Sequence, residues 1–269
     1  MSRRPSLPHG PKGMAGAPTV RVLPYALATT ALLATAACSG NGGGSGPTAS
    51  ALPRLTTAGA QAALINEGDI EDGWNQVKDA AKWSDTLLIG KVDVAGFLTA
   101  KANAADCQKL LDALYDDDLL GKPSGASALR GFQQGDSRLL YQVASYDSAE
   151  LSSAQAWLKT LPVKCDQFTA TDAKGGKRTV QVTEGTVPAV GDSRQDLRVV
   201  VQGTTNGEAT TLTLDVAVVR VGDDAITITA GGLGGAEQQS TGQAATKGTQ
   251  RLKDVLSGKT PAAGPANFR

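Results

Sequence analysis

Histidine, cysteine and paired acids are the residue types with which this chain could do chemistry. Its 269 residues include a single histidine, His9, and three cysteines. His9 lies in an N-terminal segment that we predict to be removed, so the mature chain has no imidazole for Ser-His-Asp or Cys-His catalysis and no histidine-rich metal site. No Gly-x-Ser-x-Gly sequence occurs. Paired carboxylates are the remaining catalytic chemistry, and among 26 acids the spacing selects no pair.

The chain begins with a basic segment followed by an apolar run. Residues 1–37 contain no acid, and residues 22–37 are apolar with few interruptions. Sixteen residues are fewer than the roughly 20 that a spanning helix needs, so we predict a signal peptide over residues 1–37. A start at Met14 would leave a more conventional signal peptide with Arg21 as its charge, and both starts stay open.

Cys38 directly follows the small residues that end this apolar run. Residues 32–40 (LLATAACSG) resemble the lipobox of bacterial lipoproteins, in which the cysteine receives a diacylglycerol thioether, with palmitate among its acyl chains, and becomes the mature N-terminus. Thr35 stands where that pattern usually has Leu, Val or Ile, which leaves open soluble secretion or an uncleaved leader. A core helix is disfavoured because residues 39–46 (SGNGGGSG) cannot continue one. We therefore expect Cys38 to anchor the chain to the extracytoplasmic face of the cell membrane.

The other two cysteines, Cys107 and Cys165, are 58 residues apart. In an oxidising compartment outside the cytoplasm a disulfide is the expected state of such a pair. By the chain-entropy relation, closing a loop of this length stabilises the fold by roughly 4 kcal/mol. Two separate buried thiols are the alternative.

Three short motifs invite assignments that their sequence context does not favour. Asp116, Asp117 and Asp118 lack the ligand spacing of a calcium loop and are more typical of a solvated helix end. Residues 231–235 (GGLGG) lack the spacing of a dinucleotide-binding turn and indicate a flexible connector. Lys253 stands where a phosphate loop ending at residues 258–260 would need glycine. We therefore predict no cofactor and no metal.

Aromatic side chains are the remaining candidates for lining a ligand cleft. Most are expected in the core or at its rim. They are Trp74, Trp83, Tyr115, Tyr141, Tyr146 and Trp157.

Periodicity assigns the secondary structure. Apolar residues at helical spacing predict helices over residues 58–66, 104–115, 147–162 and within 236–256. Strict alternation predicts strands over residues 129–134, 137–146, 179–183, 197–201, 212–218 and 225–230, with a short strand or buried connection at 87–89. Asn206-Gly207 is the dipeptide best suited to a tight hairpin. Val219 and Val221 shift the phase of their strand, which indicates a bulge or burial on both faces.

These elements predict an α+β fold in which helices pack on one face of an antiparallel sheet. The expected domain covers residues 55–257, preceded by a flexible tether at 38–54 and followed by a disordered tail at 258–269. Loss of residues 1–37 removes four basic residues and no acid, which leaves 22 basic against 26 acidic residues, a net charge of −4. A net negative charge disfavours nucleic acid and anionic lipid as partners.

Several motifs of this domain are similar to one family of sensor domains. They are Asp106-Cys107 with Leu110-Leu111, residues 143–146 (VASY), residues 163–168 (VKCDQF), Gly191-Asp192 and residues 218–223 (VVRVGD). Over about residues 55–257 the chain resembles the PknH-like extracellular sensor domains of actinobacterial lipoproteins and receptor kinases. The resemblance implies a sheet wrapped by helices around a cleft that binds a small or cell-envelope ligand without chemistry. Kinase-type members have a second disulfide that this chain lacks, so their cleft geometry does not carry over.

The sequence thus predicts a membrane-anchored extracytoplasmic lipoprotein with a sensor or ligand-binding role and no catalysis. Since the chain has no kinase segment, signalling would need a protein partner. A carboxylate-dependent cell-envelope hydrolase and a protein-interaction scaffold are the alternatives.

Overall fold

The computed structural model describes residues 54–71, 73–82, 88–89, 92–93 and 95–262. The predicted signal peptide, Cys38 and Trp83 lie outside the described residues, as do the predicted tether apart from Arg54 and the end of the predicted tail from residue 263. Among the described residues, no helix is both long and apolar enough to cross a bilayer.

The described residues form five α-helices. In chain order they are α1 (Thr57–Ala62), α2 (Ala95–Leu98), α3 (Ala105–Asp116), α4 (Ser148–Lys164) and α5 (Gln238–Leu256). The helix predicted over residues 58–66 is shorter than expected, because Asn66 starts a separate 3-10 turn, Glu67–Asp69. The Asn66 side chain accepts from the Gly68 N–H at 3.0 Å, and Asp69 accepts from the Asn66 N–H at 2.9 Å. These two reciprocal hydrogen bonds cap the N-terminus of the 3-10 turn, so α1 does not continue through Asn66.

Nearly all strands belong to one antiparallel sheet. In chain order they are β1 (Asn75–Val77), β2 (Leu88–Ile89), β3 (Val92–Asp93), β4 (Lys101–Ala102), β5 (Ser127–Gln134), β6 (Ser137–Ser145), β7 (Gln167–Thr171), β8 (Lys177–Glu184), β9 (Ser193–Thr205), β10 (Glu208–Val221) and β11 (Asp224–Gly232). The nine-stranded sheet has the order β1-β5-β6-β11-β10-β9-β8-β7-β4, and β2 pairs with β3. Asn206 and Gly207 both have positive φ, as the predicted β9–β10 hairpin requires. The predicted α+β class with an antiparallel sheet is confirmed.

Helices pack on both faces of this sheet, whereas the sequence predicted helices on one face. Leu214, Val216 and Val218 of β10 pack with α3 and α4, on what we call the α3–α4 face. Val219 and Val221 pack with α1 and α5 on the opposite, α1–α5 face. The phase shift in β10 therefore reflects burial on both faces. Each fully buried aliphatic side chain stabilises the fold by about 1.5–3 kcal/mol, which favours covering both faces.

The structure joins Cys107 and Cys165 in a disulfide with a Cα–Cα distance of 5.6 Å. Cys107 lies in α3, and Cys165 directly follows α4. The bridge therefore ties together the two helices of the α3–α4 face. The prediction that α4 ends at Pro162 is wrong: the helix continues to Lys164, and the Cys165 N–H still bonds to the Leu161 carbonyl at 2.7 Å. Proline removes its own N–H and crowds the turn before it, but the N–H groups that follow it can still bond, as that of Cys165 does.

Residues 231–235 do not form the flexible connector that their composition predicted. Gly231 and Gly232 are the last residues of β11, and Gly232 pairs again with Gly235. Gly231 has a φ of +138°, and a Cβ there would lie 2.0 Å from the Thr213 carbonyl oxygen. These glycines are thus ordered parts of the sheet, required where two strands approach closely.

Candidate functional site

A groove beside the first half of α5 is a concave site in which several polar side chains converge. It encloses about 670 Å³ between α5 and the segment that joins β8 to β9. We call it the α5 groove. Its lining residues are Thr186, Val187, Pro188, Gln238, Gln239, Gly242, Gln243, Thr246 and Lys247. The volume lies within the range of small-molecule sites, roughly 300–1,000 Å³.

The helical wall of the groove follows from the two stripes of α5. Ala244, Ala245 and Leu252 are buried against the sheet. Residues at positions 238–239, 242–243 and 246–247 repeat every four residues on another side of the helix and are exposed or half-buried. Amide and hydroxyl side chains therefore line up along about 14 Å of helix, at 1.5 Å per residue.

Trp74 and Ser240 fix where this wall begins. The Trp74 Nε1–H donates to the Ser240 Oγ at 3.0 Å, and that hydroxyl donates to Glu71 at 2.7 Å. Trp74 is only 2% exposed, so this contact is a core interaction, not a ligand contact. It holds the first turn of α5 against the segment that follows α1.

The opposite wall is held by backbone hydrogen bonds and one apolar anchor. The Gly185 N–H donates to the Asp196 carbonyl at 3.1 Å, and the Asp192 N–H donates to the Arg220 carbonyl at 2.8 Å. Between these two points, Val187 is buried in the α1–α5 core. This segment therefore has a fixed position from which Pro188 faces Gly242 across the groove.

Two aspartates lie at the floor, in a smaller cavity that also contacts Gln238 and Thr241. Asp215 is 3% exposed and accepts from Arg198 Nε at 2.8 Å and from the Glu237 N–H at 2.7 Å. Both of its oxygens are thereby engaged. Burial raises the pKa of Asp196, and the positive charge of Arg194 opposes that shift.

The partners of Asp215 keep it from acting as one of the two acids of a glycosidase. A glycosidase needs two carboxyl groups that both reach the substrate, one as acid and one as base or nucleophile. Asp215 is instead held by a guanidinium and a backbone N–H, and Arg198 also donates to Gln238 at 3.0 Å. The ion pair acts as a rigid base for the groove, whose lining presents the glutamine amides.

Of the aromatic residues proposed from sequence as cleft-lining, those that the structure describes do not line this groove. Trp74, Tyr141 and Tyr146 are buried in the two cores. Tyr115 and Trp157 pack, partly buried, against the α3–α4 core, where Trp157 donates to Asp106 at 3.1 Å. The groove-lining glutamines were not found from sequence, although the polar stripe opposite the apolar stripe of α5 carries the signal.

The aspartates at 116–118 end α3, as their position predicts. Asp117 has a φ of 56° at the C-cap, and it lies over a narrow cavity lined by Leu129, Leu140 and Gln142 among others. Burial, with smaller effects of Asp116 and Asp118, raises the pKa of Asp117 to about 7. Within the part of the chain that the structure describes, no three His, Cys, Asp or Glu side chains are placed to hold a metal ion.

Comparison with known proteins gives a structural likeness. No known family model matches the sequence, and no curated protein does. Among solved structures, the chain is similar to the crystal structure of the extracellular domain of PknH from Mycobacterium tuberculosis. The TM-score is 0.43 at 13% sequence identity, and the match covers 77% of this chain and all of the other.

Proposed function

We propose that this protein is a membrane-anchored extracytoplasmic lipoprotein that binds a small or cell-envelope ligand in the α5 groove. Its role is ligand binding or sensing, without catalysis. The α5 groove is the observation that carries the proposal, because it combines sufficient volume with a rigid base and a row of amide and hydroxyl groups.

The described domain begins at the end of α5 that lies farther from the groove. Its first residue is Arg54, 16 residues after Cys38. Its entry point is α1, which packs on the far end of α5: Arg251 Nη2 donates to the Ala62 carbonyl at 3.1 Å. Arg251 and Gly242 are about 14 Å apart along α5, at 1.5 Å per residue.

The charge of the groove favours an uncharged ligand. Its only charged lining residue is Lys247, at one end, while the remaining polar groups are amides and hydroxyls. Amide side chains both donate and accept, so they can pair with hydroxyl and amide groups of a ligand. A signalling role would require a protein partner that binds differently when the groove is occupied by ligand.

A thermal-shift screen of the described domain against cell-wall fragments, lipids and small metabolites tests the proposal. A ligand at about 100 times its Kd stabilises by about 2.7 kcal/mol, which corresponds to a midpoint rise of about 5–10 °C at 2–4 °C per kcal/mol. We expect at least one compound to produce such a rise. Gly242→Trp, which fills the groove, is expected to abolish it, and Lys253→Trp, on an exposed part of the same helix, is expected to preserve it.

The proposal fails if no compound moves the wild-type midpoint. It also fails if Gly242→Trp retains the full shift while its own unliganded midpoint matches that of Lys253→Trp, because binding would then lie elsewhere.

A further inference from the structure

A flat polar surface covers one side of strands β7 to β10. Side chains that point away from the α3–α4 core along these strands are largely exposed, which we call the open face. The exposed Lys177, which pairs with Thr171, lies on this side at its edge. Of ten other residues on this face, six are threonine and three are glutamine. The ten are Gln167, Thr169, Thr171, Thr179, Gln181, Thr183, Val200, Gln202, Thr211 and Thr213.

The strand register arranges these side chains in rows. Thr179 pairs with Thr169 on one side and with Gln202 on the other, and Gln202 pairs with Thr211. The neighbouring row is formed in the same way. It consists of Gln167, Gln181, Val200 and Thr213. Each row therefore crosses four strands at about 4.8 Å per strand, and the rows are about 6.8 Å apart along the strands.

The chemistry of the open face excludes several classes of partner. Neither row contains a carboxylate, an ammonium or a guanidinium group, and the charged Lys177 and Arg198 lie beside the rows, not in them. The rows themselves therefore offer no charge complement for nucleic acid or anionic lipid. Val200 is the only aliphatic member of the rows, which differs from the apolar core of a stable protein interface. Hydroxyl and amide groups, which donate and accept hydrogen bonds, are what the surface offers.

The open face is continuous with the α5 groove. Next to the row of Gln181 and Val200, Thr183 pairs with Arg198, and Arg198 pairs with Asp215. Arg198 also donates to Gln238, which lines the groove. A long ligand leaving the groove would therefore pass directly onto the rows.

We propose that the open face binds a linear uncharged glycan laid across the strands, with one end in the α5 groove. The groove end of this inference rests on the proposed function. A sugar ring and its linkage are about as long as the 4.7–4.9 Å strand spacing, so successive sugars can each meet one strand of a row. Ring hydroxyls and N-acetyl groups match the alternating hydroxyl and amide side chains.

Two uncharged hexasaccharides serve as probes: the β-1,4-linked hexamer of N-acetylglucosamine and maltohexaose. We expect at least one to bind saturably in calorimetric titration, at least tenfold more tightly than its own monosaccharide. Thr179→Val/Thr211→Val keeps β-branched side chains and removes two hydroxyls of one row. At about 0.5–1.5 kcal/mol per hydrogen bond, we expect its Kd to rise about tenfold.

Ser127→Val is the matched control, because it removes an exposed strand hydroxyl on β5 outside the open face. It is expected to leave the Kd unchanged. The inference is overturned if neither hexasaccharide binds, if the threonine variant binds as well as wild type, or if that variant changes the oligomeric state, which would make the face a contact between copies. If a ligand binds the groove of wild type but not of Gly242→Trp, and neither hexasaccharide binds, the proposed function is supported and the glycan inference is overturned.

Discussion

Replacing both Cys107 and Cys165 by alanine is expected to lower the free energy of unfolding by about 4 kcal/mol. The bridge closes a loop of 58 residues, which restricts the unfolded chain by roughly that amount in the chain-entropy relation. Within this loop lie the β5–β6 hairpin and α4. Urea denaturation measures the loss directly, and the thermal midpoint should fall by about 8–16 °C at 2–4 °C per kcal/mol.

Alanine is the appropriate replacement because both cysteines lie in the α3–α4 core. Serine would bury a hydroxyl group there at a cost in stability. The wild-type protein with its disulfide reduced serves as the matched comparison, and its unfolding curve is expected to approach that of the double variant. A loss below about 1 kcal/mol would contradict a stabilising role of the bridge and show that α3 and α4 hold together by packing alone.

Asp117→Asn is expected to stabilise the protein at alkaline pH and to have little effect at acidic pH. The folded protein raises the pKa of Asp117 from 3.8 to about 7. Between these values the folded state holds a proton that the unfolded state has released, so stability falls as pH rises from about 4 to 7 and stays lower above that. Asparagine carries no charge and also tolerates the left-handed backbone at this position.

One pKa unit corresponds to about 1.4 kcal/mol, and partial exposure of Asp117 reduces the full value, so we expect a gain of about 1–3 kcal/mol at pH 8. Urea denaturation at pH 4 and pH 8 measures the difference. Asp136→Asn, in the exposed turn of the β5–β6 hairpin, is the control and should show no such dependence. An equal effect of Asp117→Asn at both pH values would mean that backbone preference alone explains it.

Local patterns were sufficient to predict much of the sheet and its helices. Alternation located β6 and β10, and Asn206-Gly207 located the hairpin between β9 and β10, because strand period and turn chemistry are properties of neighbouring residues. The same reasoning could not place the helices on two faces. That outcome depends on which face of β10 each helix covers, which is a long-range property. The phase shift at Val219 and Val221 indicated either a bulge or burial on both faces, and the structure shows burial on both faces.

The candidate site was harder to predict because its walls are distant in sequence. Pro188 faces Gly242, and Trp74 holds Ser240 across 166 residues. The open face likewise requires the pairing of β7 with β8 and of β8 with β9, which brings Thr169, Thr179 and Gln202 into one row. Single threonines in alternating strands are ordinary, and only the register turns them into an array.

The most direct test of the account is whether the α5 groove faces the outside of intact cells on a chain held by Cys38. Thr246→Cys places one exposed thiol at the groove. We expect a membrane-impermeant maleimide to label this variant on intact cells, with the labelled protein in the membrane fraction, and we expect Cys38→Ala to release it into the soluble fraction. Wild type measures background labelling. Labelling that appears only after lysis, or membrane retention that persists in Cys38→Ala, would contradict the account.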